Sequence, residues 1–135
     1  MTPDEKAIPV STVLSVPYEA SGARVARRFV EQFATGLGFD GAADDLCLIV
    51  TELVTNAIVH GKEPVELTLR YEHGEVTIEV ADGDSQVEGV TPHADQVEPG
   101  GRGLRIVASL ADEWGTRPSH TGKTVWATTT HTAAP

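Results

Sequence analysis

Val65-Glu66-Leu67-Thr68-Leu69-Arg70-Tyr71-Glu72-His73-Gly74-Glu75-Val76-Thr77-Ile78-Glu79-Val80-Ala81-Asp82 holds two alternating runs, Val65–Tyr71 and Val76–Ala81, on either side of His73-Gly74. Alternation with period two marks strands buried on one face, and a short glycine-containing link between two such runs marks a β-hairpin. A hairpin forces antiparallel pairing. Upstream, residues 42 to 60 repeat with helical period and end at Gly61, with Asp44 and Asp45 in the first turn to suit the helix dipole. A second helix is expected over Glu19–Thr35, with Ala23, Ala26, Phe29, Val30 and Phe33 on one side, Ser21 near its start as a cap, and Gly36 and Gly38 as breakers. Its Arg24, Arg27 and Arg28 form a basic stripe, read either as a solvated face or as a docking site.

Further outward, Val13, Leu14 and Val16 suggest a short strand stopped by Pro17. Downstream of the hairpin, residues 82 to 103 form a long glycine-rich loop of the kind that is more often functional than accidental. A helix over Leu104–Ala111 follows, then strands near Glu113–Arg117 and Thr124–Thr129 joined by a turn containing Gly122. The order β-α-α-β-β-loop-α-β-β predicts a two-layer α/β sandwich. Its sheet is expected to be mixed and mostly antiparallel, covered by helices on one face. A doubly wound parallel sheet is excluded because strands and helices do not alternate regularly. The expected organisation is a loose tail over 1–11, one domain over 12–130, and a loose tail over 131–135.

Composition narrows the function. The 135 residues carry 10 Lys and Arg against 20 Asp and Glu, a formal charge of −10, which disfavours nucleic acid and anionic membrane as partners. Ten of the acids, against the single base Arg70, fall between Glu63 and Glu98, read either as a solvated strand face with an acidic loop or as a surface for a basic partner. Cys47 is the one cysteine, so neither an internal disulfide nor a multi-cysteine zinc site can form. The first nine residues lack the basic and apolar regions of a signal peptide, and no apolar run approaches a membrane span. A cytoplasmic location is therefore expected.

Three places could carry chemistry. On the helix that ends at Gly61, the polar residues Glu52, Asn56 and His60 recur every four residues along an otherwise apolar surface. Such a stripe either faces water or meets a metal or polar ligand that satisfies it. His60 can alternatively serve the dipole at the helix end. Asp82-Gly83 is either a plain turn or a carboxylate that accepts from an amino-bearing base, since an ionised carboxylate cannot donate. Gly100-Gly101-Arg102-Gly103-Leu104 is either a connector or a helix N-terminus offering N–H groups to phosphate, with Arg102 and Arg105 adding positive charge. It is not a Rossmann fingerprint, because no strand leads into it and Ile106 stands at the third glycine. Gly122-Lys123-Thr124 is not a Walker A motif, because the upstream glycine is missing.

Taken together and in order, these motifs resemble those of the histidine-kinase-like ATPases, the superfamily of gyrase, sensor histidine kinases and MutL. Glu52 to Gly61 resembles the N box, Asp82-Gly83 the first glycine box, Gly101-Arg102-Gly103-Leu104 the second, and Gly122-Lys123-Thr124-Val125-Trp126 the terminal glycine–threonine motif. The likeness covers residues 12 to 130 and is nearest to small bacterial anti-sigma factors with serine/threonine kinase activity. The resemblance implies ATP and Mg²⁺ as cofactors. It implies Asn56 as the metal ligand, Glu52 as general base, and Asp82 holding the adenine amino group with help from Thr124. Gly83 would lie near the base, and Gly101, Arg102, Gly103 and Leu104 at the phosphates. It further implies a sigma factor and an anti-sigma antagonist as partners and, as is frequent among such relatives, a homodimer. The alternative is a module whose nucleotide gates partner binding without phosphoryl transfer. The chain departs from the pattern at Asp84-Ser85-Gln86, where the second glycine of the first glycine box is missing. The loop before Gly101, which the resemblance implies is a nucleotide lid, also carries Glu88, Asp95 and Glu98.

Overall fold

Five strands and three helices follow one another as β1 (Val10–Val16), α1 (Gly22–Gly36), α2 (Ala43–His60), β2 (Val65–Glu72), β3 (Glu75–Asp82), α3 (Arg102–Leu110), β4 (Glu113–Pro118) and β5 (Lys123–Thr130). The computed structural model describes residues 9–39, 43–84, 102–120 and 122–130, with 102 and 103 described by backbone alone. Within this range, the strands form one sheet in the order β1-β2-β3-β5-β4, and every pairing is antiparallel. The two-layer sandwich expected from the hairpin is what forms.

The hairpin supplies the centre of the sheet. Glu72 pairs with Glu75 across His73 and Gly74, whose φ values of 54° and 78° are those a type I′ hairpin turn requires. From this register, Val65, Leu67 and Leu69 share a face with Val76, Ile78 and Val80, and β5 adds Val125 and Ala127. All eight are buried. The opposite face carries Glu66, Thr68 and Arg70 from β2 and Thr77, Glu79 and Ala81 from β3. There Arg70 and Arg117 both bond Glu79, Arg117 reaching over β5 to do so (Nη2–Oε2 2.9 Å).

The helices close the other side. α1 buries Ala26, Val30 and Ala34 at four-residue spacing, small residues that let it lie close against α2. Ala23, Phe29 and Phe33 pack at the rim of the core. α2 buries Leu46, Cys47, Ile49, Val50, Leu53, Val54 and Ala57, a surface too wide for one contact, and it touches α1, α3, β2 and β3.

Several boundaries differ from the sequence expectation. β1 begins at Val10, so two residues expected in the N-terminal tail belong to the sheet. The rest of that tail, apart from Pro9, and the expected tail over 131–135 lie outside the described residues. α1 begins at Gly22 rather than Glu19. Residues before it are held in turns by Glu19 N–H to the Pro17 carbonyl and Gly22 N–H to that of Glu19, and Ser21 makes no side-chain cap. α3 starts two residues earlier than expected, directly after the glycines. No described helix is long and apolar enough to cross a membrane.

Candidate functional site

α2 delivers its polar stripe where β2 and β3 begin and end. Glu52 and Asn56 are half-buried and His60 is exposed in the last turn; of the residues between them Leu53, Val54 and Ala57 belong to the core, while Thr55 and Val59 are exposed. No hydrogen bond or ion pair from another described residue engages Glu52 or Asn56. Among the described residues, these two polar groups on the rim of an apolar helix have no protein partner, which suits contact with a polar ligand. Thr51, beside them, turns its hydroxyl back to the Cys47 carbonyl (2.7 Å) and is satisfied within the helix.

The helix stops at Gly61, whose N–H donates to the Ala57 carbonyl (2.9 Å) and whose own carbonyl accepts from the Tyr18 hydroxyl (3.0 Å). A Cβ on Gly61 would lie 2.5 Å from Cγ of Asp82 and 2.6 Å from its Oδ2. The end of α2 and the end of β3 therefore meet at a glycine because no side chain fits between them. Gly83 N–H donates to the Lys62 carbonyl (2.7 Å), and Asp84 N–H donates to Asp82 Oδ1 (2.8 Å), folding Asp82-Gly83-Asp84 into a turn closed by its own carboxylate. On the other side Gly122 passes so close to the Asp82 carbonyl that a Cβ would overlap it. Asp82 is 2% exposed and is enclosed by three segments that lie far apart in sequence.

The register of β5 revises one assignment. Asp82 pairs with Lys123 and Ala81 with Thr124. Direct partners in an antiparallel ladder project to the same face, so Lys123 shares Asp82's face and Thr124 lies on the opposite one. Lys123 places Nζ 3.4 Å from Asp82 Oδ2 and 3.7 Å from Asp84 Oδ2, its side chain almost wholly enclosed. Thr124 is thus not brought to Asp82, and Lys123, which the motif reading passed over, is. The alternation of Val125 and Ala127 in the core puts position 123 on the same face, which is the signal that could have found it.

The phosphate-end residues are placed in part. α3 opens at Arg102 as a helix N-terminus following glycines, and Leu104 packs against the core. Arg105 is exposed. Gly101 and the Arg102 side chain lie outside the described residues, Gly103 is described by backbone alone, and Asp40, Ser85, Gln86, Glu88, Asp95 and Glu98 also lie outside them. α3 packs on α2, the helix that carries Glu52 and Asn56.

The donor chemistry fits a metal bound through a ligand. Among the described residues no group of three or more His, Cys, Asp or Glu side chains could hold an ion by itself. Mg²⁺ commonly takes one or two protein oxygens and completes its shell with phosphate oxygens and water, a role the Asn56 amide oxygen can fill.

The chain matches, over residues 16–129, the family described as the histidine kinase-like ATPase domain. No curated protein matches it. Among solved structures it is similar to the RsbU and RsbW domains of Rv1364c from Mycobacterium tuberculosis, with a TM-score of 0.69 at 17% identity. That likeness covers 93% of this chain and 33% of the other, so the chain spans about a third of that protein's length and shares its fold.

Proposed function

This chain belongs to the histidine kinase-like ATPase domain family, and from that premise we propose that it is an ATP-binding regulatory protein of the anti-sigma factor kind, acting as a serine/threonine kinase on an antagonist protein. The observation that carries the proposal is the convergence on Asp82 of the end of α2, the turn after β3 and the start of β5, with Asn56 and Glu52 one and two turns back along α2. A purine at Asp82 would direct its phosphates toward the part of α2 that carries these two residues and toward α3, which packs on α2.

In this reading Asp82 accepts from the exocyclic amino group of adenine, and Gly83, with no side chain, lets the ring approach the backbone. Asn56 holds Mg²⁺, which neutralises charge on the phosphates when bound. The N-terminal amides of α3 and Arg102 meet the phosphates. Glu52 takes the proton from a serine or threonine hydroxyl as its oxygen attacks the γ-phosphorus and the bond to ADP breaks. Positioning and electrostatics supply most of such a reaction, and this small domain can provide both. The phosphoacceptor then belongs to a second protein, as does the sigma factor held inactive. The acids displayed on the hairpin, Glu66, Glu72 and Glu75, are exposed and available to a basic partner.

The test is transfer of label from γ-³²P-ATP to proteins that co-purify with the chain. Labelled serine or threonine is expected with wild type, and none with Glu52→Ala, which should still bind Mg-ATP. Normal labelling by Glu52→Ala would remove the base assignment. Tight Mg-ATP binding that alters partner affinity with no labelled protein would favour a nucleotide-gated binding module instead.

A further inference from the structure

Lys123 is an unusual occupant of a sheet core. Lysine is almost never fully buried unless paired, and this one is 3% exposed with two carboxylates around its ammonium. Its distances of 3.4 Å to Asp82 and 3.7 Å to Asp84 are longer than those of a close charge-assisted hydrogen bond. The ammonium therefore stands between the two acids rather than being committed to one. Asp82 meanwhile has Oδ1 engaged by the Asp84 N–H and Oδ2 facing Lys123. Any amino group approaching this carboxylate meets an acceptor whose charge is already countered.

We propose that Lys123 is the residue that sets how strongly the site prefers a base with an exocyclic amino group, by competing with that group for Asp82. The inference rests on the reading of Asp82 as the purine contact and adds the residue that tunes it. It also places a cation beside Asp84, the first residue of the Asp84-Ser85-Gln86 stretch in which the second glycine of the first glycine box is missing. An acid there, next to a buried acid, is tolerated because one ammonium serves both. In wild type the gain from bonding the amino group is offset by the loosened Lys123 contact, so selectivity for the amino group is weak. Without the ammonium, Asp82 becomes a full anionic acceptor, and hydrogen bonds to charged groups are stronger than those between neutral ones.

The probes are ATP and purine riboside triphosphate, which differ only by the amino group. They are titrated at pH 8 with Mg²⁺ against wild type, Lys123→Met and Lys123→Met/Asp82→Asn, with each protein's melting curve recorded to show that it is folded. Lys123→Gln serves as the second single variant. Because both probes carry the same phosphates, general changes in charge or stability cancel in the ratio of their Kd values. Wild type is expected to favour ATP by no more than about threefold, and Lys123→Met and Lys123→Gln by about tenfold more than wild type. Adding Asp82→Asn should return the ratio to near one. A ratio unchanged or reduced in both single variants, while Asp82→Asn still removes the preference for ATP, overturns the role of Lys123 and leaves Asp82 as the purine contact. A ratio that ignores Asp82→Asn overturns both.

Discussion

The carboxylate of Asp82 rests against the α-carbon of Gly61, so close that a methyl group on Gly61 would lie 2.5 Å from its Cγ. Twenty-one positions separate the two residues, and the contact joins the end of the helix that carries Glu52 and Asn56 to the strand end that carries the buried acid. An alanine at 61 must push either the carboxylate or the helix end away. Gly61→Ala is expected to cost about 1–3 kcal/mol in urea unfolding and to weaken nucleotide binding as well. An alanine variant of wild-type stability would mean that the two elements do not meet so closely.

The centre of the sheet is where stability is concentrated. Ile78 is 1% exposed between Leu69 of β2 and Ala127 of β5. Ile78→Ala is expected to destabilise by about 2–5 kcal/mol. Val13 on the edge strand β1 is 54% exposed, and Val13→Ala should change stability by about 0.5 kcal/mol or less. Chemical denaturation of the two variants side by side checks the assignment of faces.

Glu79 gives the fold a pH dependence. Burial by itself would raise its carboxyl, but hydrogen bonds and charge from Arg70 and Arg117 outweigh that and hold it below the ordinary carboxylate value. A lowered folded-state value contributes stability that is present above the unfolded value of 4.5 and lost as pH falls through the folded one. The stability gap between wild type and Glu79→Gln should therefore be widest near neutral pH and close as pH drops below about 4. Because both arginines are half-exposed, added salt should narrow the gap at neutral pH. A gap that grows on acidification would contradict this reading.

Legibility in the sequence followed the physics of each segment. Val65–Asp82 was readable because strict alternation and a His-Gly turn leave one register open. The long apolar α2 was readable because its exceptions, Glu52, Asn56 and His60, are spaced by one turn. β1 was read too short, since Val10, Ser11 and Thr12 sit on an edge strand whose weak burial blurs the alternation. Helix α1 was read as starting at Glu19, although its apolar period begins only at Ala23 and leaves the first turn unfixed. Gly22 is instead where the helix begins, packed under the Pro17 carbonyl. Thr124 was named through the resemblance of Gly122-Lys123-Thr124 to the terminal glycine–threonine motif, and Lys123 was passed over. A slip of one residue in a strand exchanges its two faces, and only the pairing of Asp82 with Lys123 reveals which side chain turns inward. That a lysine can be buried there depends on Asp82 and Asp84, which the linear sequence separates from it by about forty residues.

The most direct measurement of the nucleotide site is an amide NMR titration with Mg-ATP. The amides of Gly61, Gly83 and Gly122 surround Asp82, and glycine signals are readily separated from others. These three, with Asn56, are expected to shift most, the Asn56 side-chain amide only when Mg²⁺ is present, while His73 and Gly74 at the hairpin tip stay unmoved. Shifts centred on the hairpin tip, or no shift at Gly61, Gly83 and Gly122 at saturating Mg-ATP, would contradict a nucleotide site built on Asp82 and Asn56.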